Sequence, residues 1–191
     1  MSYKYWDYYL VLERDLMETF RYVDFSEANM KTNSIEFASI ILATCAEIDM
    51  VFKQVCMLLG VRKCKNIKNY REAILTNRPE FNSRERKTPY SEEPIKPFRD
   101  WSLQHGKNPD WWRAYNKIKH ERYISFHRAS LKNAILSLAA LQIVLFEFYS
   151  IQEDSNSLQF KYYDAPRLIL PQPDGTAIVN DEGIYIRYLV T

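Results

Sequence analysis

Glycine is scarce. The 191 residues hold only 4 of them, too few to build a Gly-rich phosphate loop. GxSxG, HExxH, a Walker loop and the dinucleotide fingerprint are all missing, which removes the commonest hydrolase, metalloprotease, nucleotidase and dehydrogenase signatures. Cysteine is limited to Cys45, Cys56 and Cys64, an odd count without a CxxC pair. Cys45 and Cys56 fall about 16 Å apart along one expected helix, too far for a disulfide. They read as reduced core thiols of a cytoplasmic protein. Histidine is limited to His105, His120 and His127, which have no suitable cysteine partners, so neither a metal site nor a cofactor is expected. The stretch Met1 to Leu10 contains Lys4 and Asp7 and no apolar run, so it does not read as a signal peptide.

What is present is ordinary in amount and unusual in arrangement. Hydrophobic residues make up 47% and charged residues 26%, which suits a globular chain able to bury roughly 70% of its unfolded surface. Aromatics reach 15%, with 14 Tyr, 10 Phe and 4 Trp. Net charge is +2, but it is unevenly spread. Residues 1–60 carry 5 basic and 9 acidic side chains, residues 61–146 carry 18 and 8, and residues 147–191 carry 3 and 7. A basic middle between acidic ends reads either as a footprint for a polyanion or as charge that the ends neutralise in the fold.

Periodicity gives the elements. Trp6, Tyr9, Leu10, Met17 and Phe20 predict a helix over 6–23. Asn33, three residues before Glu36, predicts an N-cap for a second helix over 34–59 that stops at Gly60. That helix is apolar on two opposite sides: Ile41, Leu42, Cys45, Phe52, Cys56 and Leu59 against Ile40, Val51 and Leu58. Such a helix is central and needs cover from neighbours or a second subunit. Asp49 falls inside the first stripe and Glu47 beside the second, so both carboxylates are expected to be partly buried and to need cations. A shorter helix fits 67–76. Residues 78–110 contain Pro79, Pro89, Pro94, Pro97 and Pro109 and read as a long irregular insertion loop, with Phe81, Phe98 and Trp101 packing down on the bundle. A helix then opens with Asp110 as cap, followed by a nearly all-apolar helix over 130–150. Its apolar run from Ala134 to Tyr149, interrupted by Ser137, Gln142 and Glu147, is shorter than the roughly 20 residues of a membrane span and reads as part of a second central helix, so no membrane partner is expected. Leu168 to Leu170, Thr176 to Val179 and Ile184 to Val190 look like short strands. The expected organisation is a helical bundle over 1–150 and a small β-hairpin appendage over 151–191. The aromatic start, Tyr3 to Tyr9, reads either as base-stacking surface or as core.

One segment carries chemistry. Arg113, Asn116, Lys117 and His120 are spaced 3, 4 and 7 apart and share a helix face, with Tyr115, Lys119 and Arg122 on the adjacent one. An imidazole can move a proton near neutral pH. A guanidinium can clamp a phosphate, and an amide can orient either group.

An all-helical domain with Arg, a short spacer and His ahead of its last long helix resembles the HEPN superfamily. Six residues separate Arg113 from His120, at the edge of that superfamily's spacing, and Ala114 stands where a polar residue is usual. The resemblance implies a helical bundle, often a homodimer, acting as a metal-independent endoribonuclease or RNA-binding protein of bacterial defence or toxin–antitoxin systems. His120 would be the general acid–base, Arg113 the phosphate clamp and Asn116 the orienting group. Lys117, Lys119 and Arg122 would contact phosphates. The string Trp111-Trp-Arg-Ala-Tyr-Asn-Lys-Ile-Lys-His-Glu-Arg122, together with Glu47-Ile48-Asp49, also resembles a group of uncharacterised bacterial proteins and implies no activity.

The expectation is therefore a mainly α, HEPN-like helical bundle with a Pro-containing loop and a small β appendage, dimeric because two apolar helices need cover. Its alternative is an interaction or scaffold protein. In that case Glu47 or Asp49 pairs with Lys119, His120 or Arg122 in a buried polar network that fixes helix register.

Overall fold

The computed structural model describes residues 4–152, 161–163, 166–172, 177–180 and 183–186. Five α-helices account for most of them: α1 (Lys4–Thr19), α2 (Ile35–Leu58), α3 (Ile67–Asn77), α4 (Asp110–Ser125) and α5 (Leu131–Gln152). Six short strands complete the described chain: β1 (Arg86–Thr88), β2 (Ser91–Ile95), β3 (Lys161–Tyr163), β4 (Leu170–Pro171), β5 (Ala177–Asn180) and β6 (Gly183–Ile186). The mainly helical class expected from the sequence is observed.

The helix ends follow local chemistry. Ser34, not Asn33, caps α2: its Oγ accepts from the Phe37 N–H at 3.0 Å. Asn33 instead forms a backbone bridge with Ser130, which joins the approaches to α2 and α5. At the other end of α2, Gly60 adopts φ +78. The Val61 N–H reaches Cys56 O at 2.8 Å and the Gly60 N–H reaches Met57 O at 3.0 Å, the paired bonds of a Schellman stop. Asn66 caps α3 by accepting from the Lys68 and Asn69 N–H groups. Asp110 is not a cap. Pro109 holds that position, and Asp110 lies in the first turn, where its charge suits the helix N-terminus.

The central pair is α2 and α5, flanked by α1 and α4, each of which touches both. The window Leu131–Ile151 is long and apolar enough to cross a membrane, yet 83% of it is buried inside this one chain. Most of both apolar sides of α2 is covered as well: Ile41, Cys45, Phe52 and Cys56 on one and Ile40 and Val51 on the other are buried, while Leu58 of the second is 45% exposed. Much of the cover that α2 needs is thus supplied by helices of the same chain. Two residues of the aromatic start belong to this core: Trp6 stacks on Tyr9 at 4.7 Å and both are buried, whereas Tyr8 is exposed and Tyr3 lies outside the described residues.

The 78–110 segment is irregular only in its second half, residues 96–109. It opens with a 3-10 turn at Pro79–Ser83 and then forms the β1–β2 hairpin. Antiparallel β4 joins the free edge of β1, giving the order β2-β1-β4. Pro94 and Pro171 both lie in its edge strands, where a missing N–H is tolerated. The expected packing of Phe81, Phe98 and Trp101 is observed. They gather around Phe52 of α2, with Phe98 and Trp101 centroids 4.7 Å apart and Trp101 stacked on Phe52 at 5.7 Å. Asn82 Nδ2 donates to Trp101 O within the segment, and Arg71 of α3 donates to Gly106 O, which clamps it to α3. A Cβ on Gly106 would collide with the Ser102 backbone, so only glycine fits this approach.

Beyond α5 the expected appendage divides in two. Residues 166–171 belong to the bundle, with Leu168 and Ile169 fully buried. β5 and β6 form a hairpin to which β3 adds as a third strand. The remainder of the strand expected through Val190 lies outside the described residues.

The anchor of 166–171 is Glu13 of α1, only 3% exposed. Its carboxylate accepts from the backbone N–H groups of Arg167, Leu168 and Ile169 at 2.8–3.0 Å, and from the Tyr9 hydroxyl at 3.2 Å. Gln142 of α5 donates to both Tyr9 Oη and Ile169 O. Replacing Glu13 by Ala leaves three backbone donors without their acceptor. The expected loss is about 3 kcal/mol or more of unfolding free energy. Urea denaturation reads it, and hydrogen exchange at Leu168 and Ile169 should accelerate before exchange in α2.

Candidate nucleic-acid interface

The inner face of α4 decides what its outer face presents. Trp111, Ala114, Tyr115 and Ile118 recur at helical spacing and are buried, as is Trp112 beside them. Trp111 is held by its Nε1–H donating to Pro97 O at 2.9 Å and by an edge-to-face contact with Phe98. The cationic and amide residues singled out on this helix therefore point outward, while Tyr115 faces in. Arg113, Asn116, Lys117, Lys119, His120 and Arg122 are all exposed.

Their partners sort them into two groups. Arg113 donates to Asp110 one turn earlier. That hydrogen bond, then the charges of Arg113, Lys132 and Arg99, hold the Asp110 carboxyl below the ordinary carboxylate range. Lys117 Nζ reaches both Glu121 oxygens at 2.8 and 2.9 Å. Asn116 Nδ2 donates back to Trp112 O at 3.0 Å, so its amide orients neither Arg113 nor His120. Lys119 Nζ lies 5.5 Å above the Tyr115 ring, a cation–π distance. His120 and Arg122 have no hydrogen bond or ion pair among the described residues. The first half of the helix thus carries cations already matched by acids of the same helix. The second half carries unmatched ones.

Arg113 and His120 share a face but stand about 10 Å apart along the axis, and neither bonds the other. The helix also breaks just beyond His120: Glu121 has φ −137 and ψ 41. The last turn is re-aimed, and Tyr123 and Ile124 project into solvent at 99% and 76% exposure. These two are not among the sequence candidates. Both follow the break at Glu121, so the buried period 111, 114, 115, 118 does not extend to them and no spacing in the sequence marked them.

The buried network expected between α2 and this segment does not form. Asp49 is half-buried and bonds to Lys53 Nζ at 2.5 Å and to the Tyr70 hydroxyl at 2.8 Å. Its face of α2 meets α3, while α4 turns only aromatic and aliphatic side chains inward. Glu47 is buried and without a hydrogen bond or ion pair among the described residues, and desolvation raises its pKa above the ordinary carboxylate range. The buried ionic cluster of this chain lies elsewhere. Glu147 of α5 pairs with Arg78 at 3.1 Å and Arg84 at 2.5 Å.

Other chemistry finds little footing. All three cysteines are free thiols. Burial pushes Cys45 and Cys56 well away from thiolate formation. Among the described residues no group of three or more His, Cys, Asp or Glu side chains converges to hold a metal. An open cleft of about 460 Å³ beside the start of α4 mixes Glu27, Glu93, Asp100 and Asp110 with Lys96, Arg99 and Lys132, without a dominant sign. Comparison with protein families, with curated proteins and with solved structures finds no match for this chain.

Glu47 gives a direct test of the electrostatics. A carboxyl whose folded pKa is raised destabilises the fold as pH climbs through its unfolded pKa and on past the folded one. Glu47→Gln is expected to raise Tm at about pH 7.5 by roughly 2–4 °C, the shift that about 1 kcal/mol gives in a chain of this size. At about pH 3, below the unfolded pKa of a glutamate, the carboxyl is protonated in both states and thermal melts of variant and parent should converge.

Proposed function

We propose that this protein binds RNA along the outer face of α4. The observation that carries the reading is the unmatched charge there: Lys119, His120 and Arg122 are exposed on a helix whose other face is locked by aromatic packing, and among the described residues none is paired with an acid. Among the described residues, the ion pairs of α4 are with Asp110 and Glu121 of the same helix. A rigid row of cations facing solvent attracts phosphates and releases their counterions. The HEPN-like spacing of Arg113 and His120 directs the proposal to RNA rather than to polyanions at large.

A second reading, metal-independent cleavage, has one observation in its favour. Arg113 and His120 both face outward on one side of α4, where a bound strand would cross them. His120 would transfer the proton, and Arg113 would stabilise phosphate charge after exchanging Asp110 for the substrate. A non-catalytic scaffold is the reading that remains if neither binding nor cleavage is found.

The test is anisotropy of a labelled mixed-sequence RNA against salt, using the full chain. Binding should weaken as salt rises, and Lys119→Gln with Arg122→Gln should flatten the log–log slope by about 1.4, roughly 0.7 per phosphate contact on a single strand. Lys53→Gln on α2 should change nothing. Absence of binding at low salt would leave the scaffold reading. The same RNA incubated in EDTA tests chemistry. Cleavage lost in both His120→Ala and Arg113→Ala, with helicity retained, would establish the second reading.

A further inference from the structure

We propose that the RNA bound by α4 is single-stranded and that Tyr123 is the platform on which one of its bases stacks. This rests on the reading of α4 as an RNA-binding face. The juxtaposition that carries it is a free aromatic ring, a cleft and unmatched cations at one end of one helix.

Tyr123 is 99% exposed, so its ring rests on nothing among the described residues. It stands at the rim of an open cleft of about 660 Å³ between the end of α4 and the start of α2. Ala38 forms the buried floor. Ile35, itself 72% exposed, and half-buried Phe126 supply apolar walls, and Arg122 adds a guanidinium beside the ring. Lys119 and His120 lie one turn or less before Tyr123 on the exposed side of the helix. An apolar slot with an aromatic edge and cations alongside matches a nucleotide: the base enters the slot and covers the ring, and its phosphates meet Lys119 and Arg122. Stacking on an aromatic ring is available to every base, so no sequence preference is needed.

Strandedness follows from geometry. Bases inside an A-form duplex are already stacked on their neighbours, and proteins reach such a duplex through its backbone and shallow groove. A free tyrosine gains contact only from an unstacked base. A second copy of this chain fits the patch less well. The six side chains of the cleft fall far short of the roughly 20–30 residues a side that a stable interface uses. A two-fold contact would also bring Arg122 and Lys119 close to their own copies, a like-charge juxtaposition.

The experiment compares a labelled single strand of mixed sequence with the same strand annealed to its complement. Tyr123→Ala is expected to weaken single-strand binding about tenfold, as the loss of one stacked base does, and to leave duplex binding unchanged. Tyr123→Trp should keep single-strand affinity. It also provides a reporter, because the four native tryptophans are all at most 6% exposed: emission from position 123 should be quenched by the single strand and not by the duplex. Salt-dependent RNA binding that is indifferent to Tyr123→Ala would overturn this inference and leave the α4 proposal standing. No RNA binding by the parent chain would sink both. A dimer seen by sedimentation, and lost in Tyr123→Ala, would overturn it in favour of self-association.

Discussion

A buried carboxylate holds the two ends of this chain together. Glu13 replaces the sheet or helix that would otherwise satisfy the N–H groups of residues 167–169, and a buried backbone donor must find some acceptor. With that acceptor in place, Leu168 and Ile169 can be fully buried against the helices, and residues 170 and 171 can continue as a strand beside β1. Gln142 ties the same point to the middle of α5. One side chain on α1 thereby fixes the position of the chain returning after α5, and through it one edge of the small sheet. The Tyr9 hydroxyl completes the set. Its pKa is driven upward by burial and then by the neighbouring Glu13 charge, so it stays protonated and able to donate.

A second polar anchor works one and a half turns further along α5. Glu147 faces Arg78 and Arg84, the residues that bracket the turn into β1, and Arg86 lies fully buried with its guanidinium 5.0 Å from the Phe146 ring. The 78–110 segment is therefore held by charge at its start and by aromatics at its end, where Phe98 meets Trp111. That second grip reaches α4. Trp111 is fixed by the Pro97 carbonyl, and the orientation of Trp111 sets which face of α4 looks outward. The candidate interface thus depends on a segment that contributes none of its exposed cations.

Much of this was legible in the sequence, and the reasons for the rest are physical. The helices were readable because their apolar periods are strong, and Gly60 and the Ser34 region marked the ends of α2 to within a residue. The outward set Arg113, Lys117 and His120 follows from period alone. The β1–β2 hairpin was hidden because two short strands interrupted by Pro89 and Pro94 have no clear alternation. Glu13 was hidden because an acid on an amphipathic helix reads as solvent-facing until the chain that covers it is known; its three backbone partners are over 150 residues away in sequence. Gln142 and Glu147 were visible as interruptions of an apolar run, and they prove to be its two polar anchors. Pairing of Asp49 and Glu47 with α4 could not be judged from helix angles, since both helices are apolar where they meet. For a related reason the sequence showed how much surface on α2 and α5 required cover, but not that residues 78–110 and 166–171 supply part of it.

The charge pattern of α4 has an explanation that involves no ligand. Asp110 at the first turn and Lys119, His120 and Arg122 toward the last complement the helix dipole, and Asp110 with Arg113 and Lys117 with Glu121 are ordinary intrahelical pairs worth only tenths of a kcal/mol. Helix stability would select that order of signs even in a protein that binds nothing. It would not select the apolar character of the last turn. After the break at Glu121, a tyrosine and an isoleucine are presented almost wholly to water, where they contribute no packing and lose the hydrophobic gain that burial would bring. Ile35 across the cleft is exposed in the same way. Large apolar side chains gathered around a cleft are a cost to solubility unless something covers them. The cations alone fit either a stable helix or a binding helix; the cations together with Tyr123 fit the second.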